Sequence, residues 1–326
     1  MERLAAPSAE EALEVFNPLP IRHMIWLLTQ ALALALSAPE TIAVAGPAVK
    51  IPDGTQISLA HSILTELKPG VEKAVSGVRR NGHKVGIRRL SARPYAYLLR
   101  GWLTNSECEY IMRRADAARE EELATTAGSE AVSAAWRKGC EVSHLSATAD
   151  DVLLNITRDA SRLIFGKDAW SRRKELASEV EFLQVLRYSE GGEFKVHWDA
   201  CWKQPRAATL LYYLNGEGET WFPLACDSLE AARDSMPQRQ SEAYERAFAL
   251  DPTSDGLRVS PQQGDAILLY NFDEDAAIDV YSMHAGLPAA ATKIIGTQFF
   301  STKAATPPQE SGWWDKETIK VPETYL

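Results

Sequence analysis

The feature that most constrains this chain is a succession of short apolar runs after residue 180. EVEFLQVLRYS, FKVHWDA, RAATLLYYLN, ETWFP, DAILLYN, DVYSMHAG and KIIGTQFF are each rich in aromatic and branched residues, with turn residues between them. Runs of this length and composition read as β-strands. Two helical patterns precede them. After the alternating run YAYLLRGWLT, the segment NSECEYIMRRADAA opens a helix, with Asn105 or Ser106 as the expected N-cap. A second helix from about Ala149 to Phe165 sets Val152, Leu153, Ile156, Ala160, Leu163 and Ile164 near helical spacing. Helices followed by many short strands predict a mainly β fold with supporting helices (α+β), a barrel or a sandwich. The stretch 225–255 interrupts the strands, and its run SEAYERAFAL predicts a helical insertion or lid.

The flanks are different in kind. Met24–Ala38 is apolar apart from Thr29, Gln30 and Ser37, yet shorter than the about 20 residues that span a bilayer. Its length suits a secretory signal, and Ala43-Val44-Ala45 before Gly46 offers a small-x-small cleavage site. Residues 1–46 therefore read as a signal peptide or signal-anchor, which would tether the protein to a membrane. Glu2, Glu10, Glu11 and Glu14 count against this, and a short amphipathic or buried helix is the alternative. Residues 47–94 are polar and basic, with Lys68, Lys73, Arg79, Arg80, Lys84, Arg88, Arg89 and Arg93, and read as a solvated basic linker with a short helix from Leu59. The domain proper is expected over 95–303, with a C-terminal tail over 304–326. A net charge of -9 argues against nucleic acid as a partner.

Chemistry concentrates in one constellation. Of the 6 histidines, only His197 opens a His-x-Asp, in FKVHWDA. Residues two apart on a strand project from one face, so the His197 imidazole and the Asp199 carboxylate converge. His284 sits on a late strand. Two histidines and a carboxylate make the facial triad that holds non-haem Fe(II) with coordination positions left open. Zinc prefers Cys/His sets or a helical His-Glu-x-x-His, and neither occurs. Alone, His-x-Asp is weak, and a satisfied core histidine is the simpler account. Lys293 strengthens it. It lies in the apolar run TKIIGTQFF, where a buried ammonium needs an anion unless it snorkels from an edge strand.

Five blocks now stand in order: LQVLRYSEGGEFKVHWD, RAATLLYYLN, GETWFP, VSPQQGDAILLYN and SMHAGLP…TKIIGTQFF. In these blocks the stretch from about Tyr95 to Phe300 resembles the catalytic domain of the prolyl 4-hydroxylase family of Fe(II)/2-oxoglutarate dioxygenases. The resemblance implies a double-stranded β-helix, a jelly-roll or cupin-like barrel. It implies His197, Asp199 and His284 as iron ligands, and Lys293 as the partner of the distal carboxylate of 2-oxoglutarate. Tyr188 would hydrogen-bond the same co-substrate, or else be an ordinary packed tyrosine. The implied reaction consumes O2 and 2-oxoglutarate, releases succinate and CO2, and hydroxylates peptidyl proline to 4-hydroxyproline, with ascorbate as reductant. The implied partner is a proline-containing protein or peptide. The implied location is the endoplasmic reticulum or secretory pathway, with the cytoplasm as the alternative.

The chain departs from the family pattern in three places. PAAAT is one residue short between the distal histidine and the lysine, Phe299 stands where Trp is usual, and Arg137-Lys138-Gly139 replaces Arg-x-Ser. These put substrate identity in more doubt than cofactor identity. The same chemistry on another residue or a free amino acid is the runner-up. A non-catalytic binding module is opposed by the complete set His197, Asp199, His284 and Lys293, and a zinc hydrolase lacks a general-base Glu motif. Gly191-Gly192 and Gly216-x-Gly218 lack the strand–helix setting of phosphate loops and read as hairpin turns. Arg206 either faces the substrate or flanks the barrel mouth. Cys108–Cys140 with Cys201–Cys226 is one disulfide arrangement for an oxidising compartment, and four free thiols is the other reading. Trp313 and Trp314 read as packing residues.

Overall fold

Strand alternation organises the molecule. The computed structural model describes residues 69–70, 72–80, 82–123, 137–165, 181–200, 206–237, 240–273 and 277–301. Eleven strands are present among the described residues: β1 Glu72–Arg80, β2 His83–Arg89, β3 Ala96–Arg100, β4 Arg137–Leu145, β5 Leu183–His197, β6 Arg206–Tyr213, β7 Thr220–Phe222, β8 Leu257–Val259, β9 Ala266–Tyr270, β10 His284–Gly286 and β11 Lys293–Ser301. They pair in the order β1-β2-β3-β9-β6-β11-β5-β10-β7-β8, with β4 on β5. Every pairing is antiparallel.

The sheet curls into two facing layers because β5 belongs to both. Its first half pairs with β11 (Tyr188 opposite Lys293), and its second half pairs with β10 (His197 opposite His284). Between them, β4 advances from Lys138 to Cys140 while β5 runs from Glu193 back to Tyr188, so β5 carries a bulge at this point. Gly191 at φ +68 and Gly192 stand in that bulge; they bend one strand rather than turn a hairpin, contrary to the expectation. A Cβ at Gly192 would come within 2.8 Å of Ser189 O and 3.0 Å of Lys138 O, so a side chain there would collide with backbone.

Three apolar layers follow from the alternation. On one face of the larger layer, Leu99, Leu268, Tyr212, Val185 and Phe300 pack on α1 (Asn105–Leu123) and α2 (Asp151–Phe165). On its inner face Leu98, Ile267, Leu211, Tyr213 and Ile295 meet Phe222 and Val259. Behind the smaller layer, Val196, Trp198, Trp221 and Ala285 pack against α3 (Leu229–Asp234) and α4 (Gln240–Ala249) through Ala232, Ala243, Tyr244 and Ala247. Burying each large side chain of this kind contributes about 1.5–3 kcal/mol. Mainly β architecture, both helices and the helical insertion match the sequence-based expectation. The insertion, however, buttresses the back of the smaller layer, with Tyr244 edge-on to Trp198 at 4.9 Å between ring centroids.

Other expectations are corrected. Residues 72–89, assigned to the basic linker, form a hairpin on the edge of the larger layer, with β2 paired to β3. Val85 and Ile87 are fully buried there, and two of the arginines are buried with partners. The Arg80 guanidinium donates to both Glu107 carboxylate oxygens, and Arg89 donates to the carbonyls of Ser91 and Ala92. The α1 cap is Thr104, one residue before the expected pair. Its Oγ1 accepts from Glu107 N at 3.2 Å, and Glu107 Oε2 accepts from Thr104 N at 2.8 Å, a reciprocal capping box. DVYSMHAG holds a 3-10 turn at Val280–Ser282 before β10 rather than a continuous strand, because the Asp279 side chain caps the turn at Tyr281 N. Cys108, Cys140 and Cys226 are free thiols, which removes the Cys108–Cys140 pair. The apolar N-terminal stretch, the short helix from Leu59, Cys201, the C-terminal tail and Trp313–Trp314 lie outside the described residues. Among the described residues no helix is long and apolar enough to cross a membrane.

Candidate active site

His197 and His284 are direct cross-strand partners, so both imidazoles enter the space between the layers. Asp199, two residues beyond His197, joins them. The three side chains offer ligand atoms within 4.8 Å of one another. His197 Nε2 is 3.5 Å from Asp199 Oδ1, and His284 Nε2 is 3.5 Å from Asp199 Oδ2.

The backbone decides which nitrogen faces inward. His197 Nδ1 is 2.7 Å from Lys195 O, and His284 Nδ1 is 2.9 Å from Ser282 O. Each carbonyl requires a proton on Nδ1, which turns Nε2 toward the carboxylate. Burial would raise the Asp199 carboxyl, but His284, His197 and Thr209 together hold it well below the usual carboxylate range. Burial pushes the His284 imidazole down, toward its neutral form, against the opposing pull of Asp199. Two imidazole Nε2 atoms and a carboxylate thus converge on one point. Asp199 Oδ2 is buried without a hydrogen-bond partner. A cation at this point satisfies all three, so the residues fit a divalent metal.

Lys293 and Tyr188 line the same cavity, with Arg137, Phe194, Leu211, Thr220, Gly286, Thr297 and Phe299 among the other walls. The cavity has a volume of about 40 Å³. β11 runs between β6 and β5, so the edge-strand account of Lys293 fails. Its side chain is fully buried, Nζ donates to Leu287 O at 2.6 Å, and the ammonium lies 4.4 Å from the centroid of the Tyr188 ring. Burial pushes Lys293 down to about 8, partly offset by Cys140 and Glu193. The Tyr188 hydroxyl hydrogen-bonds the Cys140 side chain, and burial holds the phenol well above its usual range. Phe194 stacks on His197 with 3.6 Å between centroids, and the Arg137 guanidinium lies 4.5 Å from the Phe194 ring.

Several supporting residues have no signature in the sequence. Arg206 points neither at a substrate nor at open solvent: it holds the Glu181 carboxylate with two donors, gives Nη1 to Asp199 O at 3.0 Å, and covers the Phe299 ring. Arg93 pairs with Asp279, which caps the turn leading to His284. The carbonyls of Lys195 and Ser282, being backbone, leave no trace in residue type at all.

Comparison with known proteins agrees with this arrangement. Residues 183–301 match the family model described as the 2OG-Fe(II) oxygenase superfamily. Prolyl 4-hydroxylase 2 of Arabidopsis thaliana is 28% identical over 229 residues, spanning 67% of this chain and 69% of that protein. Residues 183–301 thus carry a 2OG-Fe(II) oxygenase domain, and the chain is similar to prolyl 4-hydroxylases. It is a 2-oxoglutarate-dependent dioxygenase, with Fe(II), 2-oxoglutarate and O2 as its cofactor and co-substrates. The transmembrane prolyl 4-hydroxylase of Homo sapiens is 32% identical over 157 residues, which cover 39% of this chain but 31% of that protein. A solved viral collagen prolyl hydroxylase from Paramecium Bursaria Chlorella virus-1, in its 2OG complex, is 22% identical, covering 64% of this chain and 97% of that one with a TM-score of 0.40. The curled antiparallel sheet, with β5 shared between two facing layers, has the layout of a double-stranded β-helix.

Proposed function

We propose that this dioxygenase hydroxylates peptidyl proline at C4. His197, Asp199 and His284 hold Fe(II), Lys293 pairs with the distal carboxylate of 2-oxoglutarate, and Tyr188 flanks that co-substrate. The observation that carries the site assignment is the convergence of two imidazoles and a carboxylate beside a buried ammonium in one cavity. Fe(II) held there would let O2 act as the oxidant: 2-oxoglutarate would give two electrons and leave as succinate and CO2, taking one oxygen atom, and the other would turn a C–H bond into C–OH.

The protein's own contribution is positional. Lys195 and Ser282 carbonyls keep Nδ1 protonated, so Nε2 remains a donor to the metal. Lys293 supplies the counter-charge and, through Leu287 O, a fixed direction for its remaining N–H groups. Leu186, Leu211, Ile295 and Phe299 give the cavity an apolar wall that excludes water. His197 is the most exposed of the three ligands, and Phe194 and Arg137 stand beside it, so the peptide enters on that side. Support for proline comes from the prolyl 4-hydroxylases among the relatives. Ascorbate as reductant and a secretory or endoplasmic-reticulum address through residues 1–46 complete the reading.

The test is succinate release from 2-oxoglutarate by the purified full chain with Fe(II) and ascorbate, with and without a proline-rich peptide. His197→Ala serves as the control. Release that rises with peptide and is lost in the control supports the proposal. Iron-dependent release indifferent to peptide removes the prolyl substrate and keeps the chemistry.

A further inference from the structure

Lys293 reaches its position by an unusual route. It starts on β11 in the larger layer, and its ammonium ends against Leu287, just past β10 in the smaller layer. Two glycines border that path. A Cβ on Gly218, ahead of β7, would sit 2.1 Å from Lys293 Cδ, 2.8 Å from Cγ and 3.4 Å from Cε. Real contacts essentially never fall below 3.0 Å, as the first two would, and the atoms met are the middle of the stem, not its free end. A Cβ on Gly286 in β10 would lie 3.4 Å from Lys293 Nζ and 3.6 Å from Phe194 Cβ. That is ordinary contact, so the protein could accommodate a methyl there, but it would occupy space beside the ammonium within the cavity.

We propose that Gly218 and Gly286 form a side-chain-free sleeve that fixes where the Lys293 ammonium ends, and thereby set the chain length of the 2-oxo diacid the cavity accepts. Gly218 lets the stem cross between the layers. Leu287 O and the Tyr188 ring hold the ammonium at the end of it. Gly286 leaves the adjoining volume to the distal carboxylate. The metal ligands fix one end of the diacid and the sleeve fixes the other, so the separation selects length. The inference rests on the proposed pairing of Lys293 with the co-substrate.

Two measurements test it. The first is a double-mutant cycle on thermal unfolding of the metal-free full chain, with Gly218→Ala in the parent and in a Lys293→Ala background. Gly218 has φ +87, so alanine is strained in both backgrounds and that cost cancels. The sleeve requires a clearly larger loss of Tm in the parent, where the stem is present. Equal losses overturn it. The second, which holds even if Gly218→Ala fails to fold, uses Gly286→Ala with Fe(II) and either 2-oxoglutarate or oxaloacetate, the diacid one methylene shorter. KM for 2-oxoglutarate should rise about tenfold, equivalent to about 1.4 kcal/mol. The change should fall on KM rather than kcat, and preference should move toward oxaloacetate. An unchanged ratio between the two diacids overturns the proposal. Lys293→Ala separates the two levels. If it leaves 2-oxoglutarate affinity intact, the lysine pairing itself fails; if it weakens affinity while the cycle shows no coupling, only the sleeve fails.

Discussion

The ion pair between Arg93 and Asp279 offers the sharpest test of how the site is supported. Arg93 Nη1 donates to Asp279 Oδ2 at 2.9 Å, while Asp279 Oδ1 accepts from Tyr281 N at 3.0 Å. Both side chains are nearly inaccessible, at 10% and 2% exposure. The substitution Asp279→Asn keeps the shape but has a single acceptor for two donors. Whichever way the amide is flipped, its NH2 meets either the guanidinium or Tyr281 N–H. Breaking a buried pair by removing one charge costs about 3–5 kcal/mol, and at about 2–4 °C per kcal/mol for a domain of this size the loss is on the order of 6–20 °C in Tm. The turn that Asp279 caps presents the Ser282 carbonyl to His284 Nδ1, so metal affinity should fall as well. Thermal unfolding of the metal-free chain and a metal titration read the two effects separately. The double substitution Arg93→Met with Asp279→Leu should recover much of the stability, since apolar replacement of a buried pair is often neutral, without restoring metal affinity. A Tm loss under about 2 °C for Asp279→Asn, or full recovery of metal affinity in the double variant, refutes the reasoning.

Other expectations follow from the same geometry. Lys293 titrates near 8 rather than its ordinary 10.5, so 2-oxoglutarate affinity should weaken as pH rises through about 8 and the counter-charge is lost. The unfolded chain keeps that proton to higher pH, so this group's contribution to stability of the ligand-free protein rises from about 8 toward 10.5. Calorimetry in buffers of different ionisation enthalpy should show proton uptake on 2-oxoglutarate binding at pH 8; no uptake sinks the assignment. Thr104→Ala should cost about 1 kcal/mol through the α1 cap, and Glu107→Gln more, because Glu107 also answers the buried Arg80; chemical denaturation ranks the two. Tyr244→Ala should destabilise by about 3 kcal/mol, as the insertion peels from Trp198, while the ratio of activities on different peptides stays constant. Chelation of a metal held at 100 times its Kd should remove about 2.7 kcal/mol of stability, measured as a Tm drop that His197→Ala does not show.

What was legible in the sequence was whatever residue type and short spacing encode. His197 and Asp199 share a strand face by arithmetic, and the ordered blocks around Tyr188, His284 and Lys293 carry the resemblance. What was not legible depended on partners far along the chain. The basic run before Arg93 looks solvated until Arg80 meets Glu107, 27 residues on, and the alternation of Val85 and Ile87 is hidden by the charges around it. Gly191-Gly192 has the composition of a turn, and only pairing with β4 on one edge and with β11 and β10 on the other reveals a bent continuous strand. The insertion was legible as helix because Ala, Glu and Arg encode that locally. Its position behind the smaller layer was not, because Trp198 faces it only once the sheet has curled.

The bent strand is also what makes the site one unit. Tyr188 and His197 are both β5 residues, and each has its functional neighbour directly across the ladder: Lys293 from β11 and His284 from β10. The Tyr188–Lys293 end and the His197–His284 end of the cavity are thus related by one covalent backbone and two antiparallel registers. At both ends the paired residues are placed by strand register, while Asp199 stands just past the end of β5. A one-residue slip in either register would turn a functional side chain to the opposite face, where the helices or the insertion pack. The apolar alternation that buries Val185 on one side and Val196 on the other forbids that slip. The hydrophobic pattern that folds the two layers is therefore also what holds the metal ligands and Lys293 in a shared space, so core packing at β5 and precision at the site are a single property of the strand.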